Sequence, residues 1–180
     1  MQLSQRQSDG VVRLATLTKL KWEAQVIDLI RKDIKFYLWG KPGSGYEGVK
    51  TLNERADPPT ISSLPRWEYL ERLVEIYQSE SLLAIEKSRQ LMATWLFCAL
   101  FLHDTMCKPG TLTFFGSKKE NDSHALVNRS GFIYRRMPEF FRQVIISPQG
   151  DTDNTTSKCK LSFPDIGSAI IGIPEGPDQL

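Results

Sequence analysis

The chain carries, near its middle, the run Leu82-Leu83-Ala84-Ile85-Glu86-Lys87-Ser88-Arg89-Gln90-Leu91-Met92-Ala93-Thr94-Trp95. The apolar residues Leu82–Ile85 predict a short buried strand, and the apolar residues from about Thr94 onward predict a helix. A strand, a polar loop and a helix in this order are typical of a loop that binds phosphate at the helix N-terminus. The run therefore predicts an α/β fold with an anion site between the strand and the helix.

The loop departs from the usual pattern G-x-x-x-x-G-K-[ST], in which backbone N–H groups wrap around phosphates and the lysine reaches the outer ones. Thr94 fits the hydroxyl position. Ala93 then stands where the lysine belongs, Met92 replaces the second glycine and Lys87 the first. Residue types alone leave two alternatives. Either this is a plain connection whose cations are solvated, or Lys87 reaches the phosphates from the opposite end of the loop.

Length and composition fit one ordinary globular domain with an appended arm, since 180 residues with 24% charged side chains bury a sizeable core. The three cysteines have no metal-like spacing, and their odd number argues against a disulfide framework, so we expect a reducing compartment. Met1–Gly10 has no apolar core of a secretion signal. The longest apolar run, Leu91–Leu102, is shorter than the roughly 20 residues that span a bilayer, so we expect no membrane partner.

Residues 1–60 are predicted to form a helical arm and a connector. Apolar residues recur at helical spacing from Leu14 to Trp39, which predicts one or two amphipathic helices. Gly40–Pro65 is rich in glycine and proline and resembles a linker or lid. Within it, Gly43–Thr51 contains a G-x-G-x-x-G match, but a nucleotide loop requires a helix next, and Pro58-Pro59 follows instead. We interpret it as a flexible glycine loop.

Residues 61–180 are predicted to form the α/β part. Alternating strands and helices predict a parallel sheet, with Thr111–Phe115 parallel to Leu82–Ile85. The other predicted elements are helices at Trp67–Tyr77, Asn121–Met137 and Glu139–Ile145, and a hairpin of Cys159–Phe163 with Ser168–Ile173.

Two further groups of residues have a candidate function. The basic residues Lys118, Lys119, Arg129, Arg135, Arg136 and Arg142, interleaved with Phe132 and Tyr134, fit either a surface that follows a phosphate backbone or a solvated helix face. The solvated face is the simpler interpretation. The pair His103-Asp104 has no further histidine nearby, so we predict no metal site from histidine.

Three motifs together resemble a known family. They are Lys87-Ser88-Arg89-Gln90-x-x-x-Thr94, then Gly116-Ser117-Lys118-Lys119, then Ile173-Pro174-Glu175-Gly176-Pro177-Asp178-Gln179-Leu180. This combination resembles the large terminase subunit of tailed bacteriophages, the ATPase motor that packages viral DNA. The resemblance covers residues from about Leu64 to Leu180.

The resemblance implies a live nucleotide site, because some members of that family carry the lysine at the start of the loop. Lys87 and Arg89 would then act on the outer phosphates in catalysis, and Thr94 would bind Mg²⁺. The ATP-binding loop would comprise Lys87, Ser88, Arg89, Gln90, Leu91, Met92, Ala93 and Thr94. An upstream segment holds adenine in the family, and Arg66, Trp67, Tyr69 and Tyr77 are the candidates here.

The implied fold is a P-loop NTPase-type parallel sheet flanked by helices, incomplete, with an N-terminal helical arm. The family couples ATP hydrolysis to translocation of double-stranded DNA into a procapsid in the host cytoplasm. Its partners are a portal ring, a small terminase subunit and sister subunits in a ring. The strand ending in Asp-Glu and the nuclease domain would follow Leu180, so we expect this chain alone to hydrolyse ATP weakly. The alternative is a non-hydrolytic nucleic-acid-binding or assembly module on a degenerate P-loop fold.

Overall fold

A computed structural model describes residues 2–53, 56–86, 91–144 and 159–174. The protein is mixed α/β, with small sheets flanked by helices. In chain order the elements are α1 (Gln2–Lys32), α2 (Ile34–Trp39), β1 (Lys50–Asn53), β2 (Thr60–Ser63), α3 (Glu68–Ser79), α4 (Ala93–Cys107), β3 (Leu112–Ser117), α5 (Glu120–Arg135), α6 (Glu139–Val144), β4 (Lys160–Phe163), a 3₁₀ turn (Pro164–Ile166) and β5 (Ser168–Pro174). None of the helices in these ranges combines the length and apolarity needed to cross a membrane.

The main sheet has three strands in the order β3-β5-β4. β3 pairs with β5 in parallel, with Leu112 opposite Ala169, and β4 pairs with β5 antiparallel, with Lys160 opposite Ile171. The predicted hairpin is therefore confirmed. The sheet is mixed rather than purely parallel, because the hairpin adds one antiparallel strand.

The predicted strand Leu82–Ile85 is wrong. Residues 82–86 have no regular secondary structure, and Leu82 is 89% exposed. Leu83 and Ile85 of this segment instead line an open cavity of about 310 Å³, together with Tyr77, Glu80, Ser81, Phe97 and Phe101. Since β3 pairs with β5, the prediction that Thr111–Phe115 runs parallel to Leu82–Ile85 is also wrong.

Helix α4 is buried around most of its circumference and forms the centre of the core. It runs antiparallel to β3, because the Thr105 and Thr113 hydroxyls lie 2.9 Å apart while the rings of Phe101 and Phe115 have centroids 5.8 Å apart. Residues nearer the start of α4 therefore contact residues nearer the C-terminal end of β3. The first turn of α4 lies past the C-terminal end of β3.

Helix α5 covers the same face of the sheet as α4. Gly172 of β5 lies opposite Phe115, on the face that carries α4, and a Cβ at Gly172 would come within 3.2 Å of Ser123 of α5. Glycine therefore permits the close approach of α5 to β5. On the other face, Leu112 and Phe114 are 57% and 55% exposed.

The predicted N-terminal helices are confirmed, although α1 begins earlier, at Gln2. The Asp33 carboxylate caps α2 by accepting hydrogen bonds from the backbone N–H groups of Lys35 and Phe36. Val26 and Ile30 on the last turns of α1 are buried in the same cluster as the core residues of α4.

The glycine-rich connector is a closely packed turn that leads into a hairpin of β1 and β2, which the sequence analysis did not predict. The Trp22 indole N–H donates to the Ser44 carbonyl at 2.8 Å, and the Tyr46 hydroxyl donates to the Tyr37 carbonyl at 2.8 Å. Gly48 has φ = 79°, and a Cβ there would lie 2.3 Å from the Leu38 carbonyl oxygen. The glycines of the connector thus allow it to pack closely against α1 and α2.

We expect Gly48→Ala to destabilise the protein by more than Gly43→Ala. Both glycines have φ = 79°, so both substitutions incur the backbone cost of a Cβ, about 1–2 kcal/mol. Only Gly48 would also clash, because nothing lies within 4 Å of a Cβ at Gly43. The free energy of unfolding from urea titrations measures the difference. Equal losses of unfolding free energy in the two variants would contradict the prediction, because the turn would then accommodate a Cβ at Gly48 without a clash.

Candidate functional site

The described residues contain half of the predicted phosphate loop. Lys87, Ser88, Arg89 and Gln90 lie outside the described residues, so their predicted roles stay predictions. Leu91, Met92, Ala93 and Thr94 are described and form the junction between the loop and α4. This junction fixes where the loop ends and how the helix begins.

The N-terminus of α4 is electrostatically suited to an anion. The first turn begins at Ala93 and includes the half-buried Thr94, and it contains no acidic residue. The residue at the N-cap position is Met92, which makes no side-chain cap hydrogen bond. The first backbone N–H groups of a helix have no partner within the helix and carry the positive end of its dipole. Phosphate binding at such an end requires no unusual side chain.

Met92 has a left-handed backbone, with φ = 55° and ψ = −1°. Among the described residues it is the one non-glycine residue with positive φ. It stands at the position of the second glycine in the usual phosphate-loop pattern. Glycine adopts this left-handed conformation more easily than a residue with a Cβ does.

An exposed aromatic pair lies next to the junction. Trp67 and Tyr69, at the start of α3, are 44% and 39% exposed, and their ring centroids are 5.6 Å apart. The Tyr69 hydroxyl donates a hydrogen bond of 2.8 Å to the Leu91 carbonyl oxygen. This bond connects the aromatic pair directly to the last residues of the loop. Sequence reasoning named both rings as adenine candidates but missed the hydrogen bond, which joins residues 22 apart.

The other two adenine candidates, Arg66 and Tyr77, differ from this pair in the contacts that their side chains make. The Arg66 guanidinium pairs with Glu71 and lies 5.7 Å from the ring centroid of Trp39. The Tyr77 hydroxyl donates to Asp104 at 2.6 Å, and burial together with that carboxylate raises the pKa of Tyr77. Both groups already have structural partners.

The residues of the basic segment lie in two different environments. Lys118 and Lys119 follow directly on β3 and are exposed at the end of the sheet where α4 begins. Farther along α5, Arg129 and Arg136 lie over aromatic rings, 5.6 Å from the ring centroid of Trp95 and 3.5 Å from that of Phe132, respectively. These arginines have packing roles, whereas the two lysines are exposed.

The pair His103-Asp104 joins three helices. His103 Nε2 lies 2.8 Å from the Ile30 carbonyl oxygen at the end of α1, and its Nδ1 is buried 3.7 Å from the Asp104 carboxylate. Asp104 accepts from the Tyr77 hydroxyl of α3 and forms an ion pair of 2.9 Å with Lys108. In the described ranges no group of three or more histidine, cysteine, aspartate or glutamate side chains is placed to hold a metal ion.

Burial lowers the pKa of His103, but the adjacent Asp104 carboxylate, the Cys107 thiol and the Ile30 carbonyl raise it more, to about 9. Asp104 is also partly buried, which raises its pKa. Its contacts with His103, Tyr77 and Lys108 outweigh this effect and hold the pKa of the carboxyl well below its usual range. The pair is therefore ionised at neutral pH.

Comparison with models of protein families and with curated proteins found no match to this chain.

We expect alkaline pH to lower the free energy of unfolding, because His103 loses its proton. The unfolded imidazole loses its proton near pH 6.5, whereas the folded one keeps it to about pH 9. The folded state thus binds more protons in this window, so stability falls as pH rises from 6.5 through 9, by an amount on the order of 2 kcal/mol. Urea titrations from pH 6 to pH 10 measure it.

The matched control for this prediction is His103→Gln, which keeps an N–H donor for the Ile30 carbonyl but does not titrate. Subtracting its pH profile removes the contributions of lysines, tyrosines and cysteines. Parallel profiles for wild type and His103→Gln would contradict the prediction.

Proposed function

We propose that this chain is the ATP-binding portion of a viral DNA-packaging motor, which couples ATP hydrolysis to translocation of double-stranded DNA into a procapsid. The observation that carries the proposal is the N-terminus of α4 beside an exposed aromatic pair. The side chain of the N-cap residue Met92 makes no capping hydrogen bond, and Thr94 lies in the first turn. The Tyr69 hydroxyl donates a hydrogen bond to the Leu91 carbonyl oxygen. In the proposal, the phosphates bind at the start of α4 and the base stacks on the aromatic pair beside it.

At the phosphate end, the chemistry is positioning and charge neutralisation, which supply most of the catalysis of phosphoryl transfer. In the proposal, the backbone N–H groups of the first turn of α4 bind phosphate oxygens. The Lys87 ammonium, on a long flexible side chain, reaches the same oxygens from the start of the loop, and Arg89 contacts the outer phosphates. The Thr94 hydroxyl would hold Mg²⁺, which would neutralise charge on the phosphates.

At the base end, Trp67 and Tyr69 offer aromatic faces to solvent. A purine stacks on such a face with a gain of roughly 1–3 kcal/mol, and the stacking itself does not depend on the identity of the base. The stacking therefore supplies affinity for the base, and recognition of adenine in particular requires hydrogen bonds to its edge.

The partners in the proposal follow from the motor function. Duplex DNA is the substrate to be moved, and a portal ring, a small terminase subunit and sister subunits in a ring are the protein partners in the host cytoplasm. Exposed Lys118 and Lys119 lie at the end of the sheet where α4 begins. Their charge favours a polyanion at that end of the molecule.

A second candidate is a non-hydrolytic nucleic-acid-binding or assembly module. It is favoured by the loop, which has neither the glycines nor the lysine of the usual pattern, and by the exposed lysines after β3. In this case the N-terminus of α4 would bind a backbone phosphate of a nucleic acid. Binding to DNA would then be independent of Mg·ATP.

Lys87→Ala is expected to weaken binding of Mg·ATP by roughly 10- to 100-fold, because a hydrogen bond to a charged group contributes about 1.5–3 kcal/mol. In the whole protein the same substitution should abolish ATPase activity and leave the fold intact. Titration with a fluorescent ATP analogue in the presence of Mg²⁺ measures the affinity. Lys41→Ala, which removes an exposed lysine from the glycine turn, is the matched control.

Thr94 provides a second arm of this experiment. Thr94→Ala should remove the part of the affinity that depends on Mg²⁺, whereas Thr94→Ser keeps the hydroxyl and should retain it. Wild-type affinity in Lys87→Ala would contradict the displaced-lysine role. Salt-dependent binding to duplex DNA with no response to Mg·ATP would favour the second candidate.

Trp67→Ala is expected to weaken ATP binding roughly tenfold through lost stacking. Binding of inorganic triphosphate, which has no base, should stay unchanged. Competition of both ligands against the fluorescent analogue measures the two effects. A control is Trp39→Ala, because the Trp39 ring is partly buried and lies against the Arg66 guanidinium instead of in the exposed pair. Equal losses for ATP and triphosphate would place Trp67 outside the base site.

A further inference from the structure

We propose that Tyr69 is a positioning residue of the phosphate loop, whose hydroxyl holds the junction between the loop and α4 in its left-handed turn. This inference rests on the proposed nucleotide site. It explains how a methionine can form the left-handed turn at a position where the usual loop pattern has a glycine. We call the hydrogen bond from Tyr69 to Leu91 the latch.

The turn at Met92 requires an explanation because a side chain disfavours it. A residue with a Cβ populates the left-handed region less than the right-handed one by roughly tenfold, since the Cβ crowds the following carbonyl oxygen. The other described residues with positive φ are all glycines. Surrounding contacts must therefore over-determine the conformation of Met92.

Two hydrogen bonds fix the peptide groups on either side of Met92. The dihedral φ of Met92 sets the orientation of the preceding peptide group, whose oxygen is the Leu91 carbonyl held by Tyr69 at 2.8 Å. The dihedral ψ sets the orientation of the following one, whose oxygen accepts from the backbone N–H of Leu96 at 2.9 Å. The second bond belongs to any helix. The latch, in contrast, joins two segments that are distant in sequence.

The group that donates the latch is itself held in place. Tyr69 lies in the first turn of α3, and the adjacent Leu70 is completely buried, as is Val74 one turn later. The Tyr69 ring also contacts Trp67. The hydroxyl is thus presented by an anchored helix.

The latch has a consequence for nucleotide binding. It ties the proposed base platform and the end of the proposed phosphate loop into one unit, so that the N–H groups of α4 are oriented before the ligand arrives. Preorganisation of this kind improves affinity by reducing the ordering that binding would otherwise require. Loss of the hydroxyl alone should then weaken binding although the stacking surface of the ring remains.

The test is Tyr69→Phe in three backgrounds: wild type, Met92→Gly and Met92→Ala. Both changes at position 92 remove the same side chain, but only glycine takes the left-handed turn without a latch. We expect Tyr69→Phe to weaken Mg·ATP binding roughly fivefold with Met or Ala at position 92, and less than twofold with Gly. The unfolding equilibrium constant, measured in urea without nucleotide, should show the reverse order, with a smaller effect of Tyr69→Phe for Met or Ala than for Gly, because a strained turn relaxes once the latch is lost.

A uniform loss from Tyr69→Phe in all three backgrounds, in the unfolding measurements, would overturn the latch. Failure of the wild-type protein to bind Mg·ATP would overturn the proposed function instead. The unfolding measurements would still decide on the latch in that case, since they involve no ligand. Coupling in unfolding without coupling in Mg·ATP affinity, in a protein that binds Mg·ATP, would overturn the role of the latch in nucleotide binding.

Discussion

Helix α4 is mostly apolar and is buried around most of its circumference, and its burial is the constraint on which the other contacts depend. A helix of this kind must be covered on most of its sides. The strand β3 and helix α5 cover it on two sides, while His103 and Asp104 connect it to α1 and α3. Each fully buried leucine contributes about 1.5–3 kcal/mol.

The burial of α4 also determines what the candidate site can be. Because the body of the helix is fixed, its N-terminus is fixed too, and its first turn offers backbone N–H groups and the Thr94 hydroxyl. In our proposal, a tyrosine hydroxyl on a neighbouring helix holds the left-handed turn at Met92. The price is dependence on a contact between segments distant in sequence.

Local sequence pattern was sufficient to predict the helices and the terminal hairpin. The helices near Trp67 and Asn121 were placed to within a few residues from their apolar pattern, and the helix near Thr94 from a continuous apolar run. Leu82–Ile85 was misassigned since a short apolar run carries no period of its own. Leu83 and Ile85 line an open cavity with residues of α3 and α4 rather than joining a sheet.

The candidate site divides in the same way. The position of Thr94 at a helix start follows from sequence alone. The bond from Tyr69 to Leu91 does not, because it depends on how α3 packs against the start of α4. The hairpin of β1 and β2 was missed because Ala56–Pro59 reads as a linker, whereas pairing between the flanking residues is a property of the folded chain.

One face of the main sheet has a practical consequence. Leu112 and Phe114 alternate outward on β3, and Ile173 of β5 is exposed on the same side, next to a strand at the edge of the described sheet. Exposed apolar rows at a sheet edge promote association between molecules. Protein concentration is therefore an experimental variable in its own right here. Spectroscopic and hydrodynamic work on this molecule calls for dilution series, so that the behaviour of single molecules is separated from that of clusters.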